Sequence, residues 1–183
     1  MSLTPGIIAS SLTGHLVTSN FFKIATVTPT SGTSVTFSSI PNTYKSLQVR
    51  FSFLTALNGY QVLTSFNGDS SSDYAAHWIY AYGSVTAGAG TTQSSMQSFG
   101  FVAGTSTTYP TTGIIDVIDY ASTSKYKTVR TFNGMNNNGS AGSTELVLAS
   151  GLWQSTAAIT SLTIATGGTA FATGSTFTLY GIS

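Results

Sequence analysis

The chain has 183 residues, of which six are Lys or Arg and five Asp or Glu, so only 6% carry a formal charge, against about 25% in an ordinary soluble domain. A net charge of +1 offers no basic field for phosphates, which excludes electrostatic binding of nucleic acid. The absence of cysteine excludes a disulfide framework, a thiol nucleophile and cysteine-ligated zinc. Ser and Thr make up roughly a third of the chain. Its apolar residues come in short runs, none near the 18 or so that a spanning helix needs. With 12% aromatics and positive mean hydropathy, the composition is also unlike that of a disordered chain.

In chain order, the first 20 residues stand apart. They lack clean alternation, and Pro5, Gly6 and Gly14 interrupt any helix, although Ile8, Leu12 and Leu16 fall four apart. They contain no Lys or Arg and no apolar run long enough for a secretory signal. Residues 1–20 therefore read as an N-terminal arm, either a loosely packed terminus or a segment that docks on a neighbouring subunit through Ile7, Ile8, Leu12 and Leu16. Residues 21–183 read as one domain.

From there the periodicity is that of strands. In Ser46–Phe53 the side chains of Leu47, Val49, Phe51 and Phe53 alternate with Ser46, Gln48, Arg50 and Ser52, the mark of a strand buried on one face. Strands are expected near 21–28, 34–39, 45–55, 60–66, 75–82, 95–103, 112–120, 126–133, 144–149, 159–165 and 175–182. Between them lie turn formers such as Pro29 with Gly32, Asn67-Gly68-Asp69, Gly88-Ala89-Gly90 and Gly167-Gly168. Many short strands with no helical interludes predict an all-β fold, an antiparallel β-sandwich of jelly-roll type.

The residues give little chemistry. His15 and His77 are the only histidines and no G-x-S-x-G elbow is present, so no catalytic residue is assigned and no enzyme is expected. Asp116 and Asp119 are an odd number apart, which in a strand points them to opposite faces. An inward one would be paired with Lys125, Lys127 or Arg130 in a structural salt bridge. Asn67–Asp73 resembles a calcium loop but lacks the glycine at the sixth position and the bidentate glutamate. It reads as a polar turn, and no cofactor or metal is assigned. In His77–Tyr82 the rings of Trp78, Tyr80 and Tyr82 share one side of a strand. That stripe is open to three readings: core, a seam between subunits, or a platform that stacks on host glycans. Trp153 reads as a packing residue.

Several phrases resemble those of tailed-bacteriophage virion proteins: Gly6–Leu16 at the start, Val35–Arg50, Phe66-Asn67-Gly68-Asp69 leading to Tyr74 and His77, Asp119-Tyr120 followed by Lys125 and Lys127, Gly151-Leu152-Trp153, then Ile159–Ile164 and Gly174–Ile182. The resemblance spans almost the whole chain and is made of strand-and-turn patterns. It implies a structural protein of the virion, of capsid decoration (cement), head-fibre or tail-fibre type. Such a protein would be made in the host cytoplasm, displayed on the particle's outer surface and bound to other virion proteins (major capsid, neck or tail). A homotrimer is the expected oligomer, with neither nucleic acid nor membrane insertion. The alternative is a receptor-binding module that recognises host surface glycans through Trp78, Tyr80 and Tyr82.

Overall fold

A computed structural model describes residues 20–56, 60–102, 106–136 and 144–183. The contact residues expected in the arm, Ile7, Ile8, Leu12 and Leu16, lie outside the described residues. All regular structure is strand: β1 (Phe21–Val27), β2 (Ser34–Phe37), β3 (Ser46–Thr55), β4 (Tyr60–Phe66), β5 (Tyr74–Tyr82), β6 (Ser84–Gln93), β7 (Met96–Val102), β8 (Ser106–Ile118), β9 (Lys127–Asn136), β10 (Thr144–Trp153), β11 (Leu162–Thr166) and β12 (Thr176–Ile182). They form two antiparallel sheets, one of eight strands in the order β1-β12-β3-β8-β9-β10-β5-β6 and one of four in the order β2-β11-β4-β7.

The alternation read in the sequence is what holds the sheets face to face. In β3, Leu47, Val49, Phe51 and Phe53 are buried while Arg50 is exposed. Phe177 and Leu179 of β12, Ile115 and Val117 of β8 and Val129 of β9 continue that inner face. Opposite them stand Val35 and Phe37 of β2, Leu162 and Ile164 of β11, and Val62 and Phe66 of β4. At one end of the core Phe66 packs on Trp153 (ring centroids 5.5 Å apart), which stacks on Tyr74 at 6.2 Å. At the other, Phe171 meets Phe53 at 5.5 Å and Phe177 at 5.0 Å. Between the sheets, Met96 of β7 lies so close to Gly151 of β10 that a Cβ there would fall 2.0 Å from its sulfur. A larger residue there would have to displace the Met96 side chain.

Two differences from the sequence reading have physical causes. Strand β6 lies where Gly88-Ala89-Gly90 suggested a break. These small residues have low strand propensity, but Trp78 of the neighbouring β5 occupies the space above Gly88, and a Cβ would lie 2.6 Å from its ring. The acidic pair also behaves otherwise than expected. Asp116 points outward, and its Oδ1 accepts a hydrogen bond from Gln48 at 2.8 Å. Asp119 lies past the end of β8 with φ of 58° and meets Lys125 at 3.5 Å, both side chains well exposed. Such a surface pair contributes about 0–1 kcal/mol.

The inward cation is Lys127, fully buried at the start of β9. Its ammonium donates to the carbonyls of Lys125 (2.7 Å), Ser122 (2.8 Å) and Ser155 (3.3 Å) and lies 6.0 Å from the Trp153 ring centre. Burial lowers its pKa, against the pull of Asp119. One ammonium thus satisfies carbonyls of two loops that the strands leave unpaired, at the end where the aromatic cluster closes the core. Lys127→Met retains the stem but orphans those acceptors, each costing about 1–3 kcal/mol when buried. We expect a loss of about 2–4 kcal/mol in urea unfolding, with the far-ultraviolet spectrum unchanged.

Candidate functional site

The side chains that could do chemistry are spread along one ladder on the outer face of the eight-stranded sheet. Reading across the strands, Gln48, Asp116, Arg130, Ser150 and His77 are successive register partners. His77 stands opposite Ser150, and Arg130 separates Ser150 from Asp116, whose carboxylate is engaged by Gln48. Among the described residues no three His, Cys, Asp or Glu side chains converge, and no hydrogen bond joins His77 to Ser150. His15 lies outside the described residues.

The aromatic stripe takes the opposite side of β5. Trp78 and Tyr80 face inward, partly buried and packed against the core. Tyr82 ends the strand, and its side chain lies outside the described residues. The solvent face of β5 presents His77 and Ile79, and Trp78 lines a surface hollow together with them.

That solvent face carries the most distinctive surface of the molecule. In the ladder beside the polar one, Arg50, Ile114, Phe132, Leu148, Ile79 and Ala87 are register partners from β3 to β6. Phe132, Leu148 and Ile79 are 49%, 55% and 53% exposed; one ladder further, Leu146 is 49% and Val85, at the sheet edge, 74% exposed. Their cross-strand partners are one another or Ile114, Gly134, Ala81 and Ala87, so no charge interrupts the patch over β9, β10, β5 and β6. A shallow hollow of about 470 Å³ separates the two ladders, walled by Ile79, Leu148 and Ala87 on one side and by His77, Ser150 and Arg130 on the other. At the β3 end the face turns polar. The Arg50 guanidinium lies 4.7 Å from the Phe21 ring centre and 5.0 Å from that of Tyr180, and its Nε donates to Gln48 at 2.7 Å. Arg130, by contrast, has no hydrogen-bond or ion-pair partner among the described residues.

The sequence carried a signal for this face. In Leu146-Val147-Leu148-Ala149 both alternating sets are apolar, as in a strand covered on two sides. Only Val147 and Ala149 lie under the second sheet; Leu146 and Leu148 are left outside. No protein family, curated protein or solved structure matches this chain.

The loop that looked like a calcium site is organised by its own hydrogen bonds. Asn67 (φ 54°) and Gly68 (φ 69°) turn the chain. Asn67 Oδ1 accepts from the backbone of Thr160 and Ser161, at 2.8 and 3.1 Å, and its Nδ2 donates to Ala158. Asp69 Oδ1 accepts the Ser71 N–H at 2.8 Å, and Oδ2 accepts the Trp153 indole N–H at 2.7 Å. The Tyr74 hydroxyl, buried beneath, accepts the Phe66 N–H at 3.0 Å, and its pKa is pushed up to about 12 by burial. The Ser71 hydroxyl and N–H, then the indole, hold the Asp69 carboxyl below its usual range. A depressed folded-state pKa stabilises above the unfolded value, about 4, and that contribution is lost as pH falls through the folded value. We therefore expect the urea midpoint to hold between pH 7 and about 5 and to drop below about pH 4. In Asp69→Asn that acid-side drop should be visibly shallower, and in Trp153→Phe the Asp69 carboxyl should titrate at higher pH by NMR.

Proposed function

We propose that this protein is a non-enzymatic structural component of a tailed-bacteriophage particle, of decoration or fibre type, which docks on neighbouring virion proteins through the outer face of its eight-stranded sheet. The observation that carries this reading is the uncharged patch of Phe132, Leu148, Ile79, Leu146 and Val85, each about half exposed or more. Soluble monomers rarely leave so contiguous an apolar surface open, and such patches mark interaction sites. Next to it, Arg130 is free to pair with a carboxylate of the partner, which would fix the register of docking.

The winding of the chain supports the same reading. From β1 to β4 the chain passes back and forth between the sheets, and the orders β1-β12-β3-β8 and β2-β11-β4-β7 are compatible with the jelly roll expected from the sequence. On this view β5–β6 and β9–β10 are two hairpin-like insertions that widen one sheet, and they carry most of the apolar patch. Jelly rolls are common among viral capsid proteins, although a shared fold argues for a setting only by analogy. A protein that binds the assembled lattice but not its free subunits stabilises the lattice by mass action, and this needs a rigid body and a contact face rather than a reactive centre.

Binding of purified recombinant protein to particles stripped of it provides the test. Leu148→Lys with Phe132→Asp, both at exposed positions, should leave the fold intact and reduce occupancy on particles at least tenfold, about 1.4 kcal/mol of binding. Unchanged occupancy would remove the face from the reading, and failure of the unaltered protein to bind would remove the reading itself. Saturable binding on a glycan array, lost in Trp78→Ala, would instead establish the receptor-binding alternative.

A further inference from the structure

The two sheets end in four edge strands, β1 and β6 on the larger and β2 and β7 on the smaller. Open edges invite pairing with another chain, and proteins guard them by charge, proline, bulges, shortness or cover. Three of the four are guarded. β1 carries Lys23 and a bulge between Lys23 and Ala25. β2 has only four residues. β7 meets β4 with a register irregularity and packs over β10, β5 and β9.

The fourth is not. β6, Ser84–Gln93, is ten residues long, contains no charge and no proline, and has no buried residue on either face. Its irregularity against β5 falls at the far end, between Tyr74 and Ala76, so Ser84 to Gly90 run in continuous register. Among the described residues nothing obstructs a strand that approaches along this edge.

We propose that β6 is the seam between two copies of this chain, pairing antiparallel with β6 of its mate across a two-fold axis perpendicular to the sheet. Charge and symmetry select a second copy as the occupant. A strand without charged residues meets its own copy with no like charges opposed, whatever the register. A perpendicular two-fold keeps outer face with outer face, so Val85, Ala87, Ile79 and Leu148 of both copies join into one apolar surface on the same side of a continuous sheet. Val85, the most exposed of the large apolar residues, then lies at the seam rather than at a free edge. The interface is isologous and closes on itself, the commonest arrangement among soluble oligomers. The trimer expected from the sequence would require β6 to meet a different strand of its neighbour. The inference does not depend on any role in a virus particle.

The full chain answers this directly, since it contains no cysteine. Sedimentation equilibrium should give twice the 19.0 kDa chain mass. Ala87→Lys with Ala89→Lys, which sets like charges on both sides of the seam, should weaken association at least tenfold, about 1.4 kcal/mol, with an unchanged far-ultraviolet spectrum. In a scan of single-cysteine variants from Val85→Cys to Ala89→Cys, the position on the two-fold axis should form an intermolecular disulfide under mild oxidation, because facing Cα atoms of an antiparallel pair lie about 4.5–5.5 Å apart. Thr36→Cys on the β2 edge should not. A mass of one or three chains, a lysine variant that stays dimeric, or cross-linking at Thr36→Cys equal to that on β6 would each overturn the proposal.

Discussion

Eight strands cannot be covered by four. The smaller sheet shelters the inner face of β3, β8, β12 and their neighbours, and the alternation there is strict because each strand has one dry side and one wet one. Where the larger sheet outgrows its partner, that rule loses its force. β6 has no buried residue on either face, and Trp78 and Tyr80 of β5 are only partly buried though they point inward. On the outward side Phe132 of β9, Leu146 and Leu148 of β10 and Ile79 of β5 are apolar although no second sheet covers them. Every unusual surface of this molecule follows from the mismatch in width: the bare edge, the half-covered aromatic rings and the apolar outer face.

The same sheet is treated differently at its two ends. Toward β1 and β3 the outer face is polar, with Arg50 held between Phe21 and Tyr180 and tied through Gln48 to Asp116. That chain uses two of the protein's few charges on a surface already edged by a bulged, lysine-bearing strand. Toward β6 no charge follows Arg130 on the outer face. In a molecule with eleven charged residues, where they are withheld says as much as where they stand. They are missing from the outer face of β10, β5 and β6, which no covering sheet protects.

Strands with one buried face were legible in the sequence because period-2 alternation reports a dry side directly: Leu47 to Phe53 needed no further information. β6 was not legible, since its strand character comes from its pairing with β5 and from Trp78 lying over Gly88, neither of which leaves a mark on a Gly-Ala-Gly segment. The inward face of Trp78 and Tyr80 was equally hidden, because alternation in His77–Tyr82 separates the two sides without saying which is the core. Alternation alone puts Asp116 and Asp119 on opposite sides of one strand. The strand ends between them, and a residue in a left-handed turn has no face. The unbroken apolar run of β10 was a signal of a different kind: it shows two apolar sides and leaves open whether the second is covered within the chain or by another.

That second cover is the point at which composition and geometry meet. Inside the fold, the loops around the aromatic end are satisfied by groups that need few charges: the Asn67 amide, the Tyr74 and Tyr120 hydroxyls and the buried Lys127 ammonium close backbone groups that strands leave open. A protein can therefore be poor in charge and still leave few polar atoms stranded; among the described side chains only the Thr131 hydroxyl is buried without a partner. Low charge is thus compatible with a well-satisfied interior, and its consequence falls on the exterior. A solvated monomer uses charge to keep its edges and apolar patches apart from those of its copies. Where both an open ten-residue edge and a contiguous apolar face lack it, the surface has the character of one meant to be occupied.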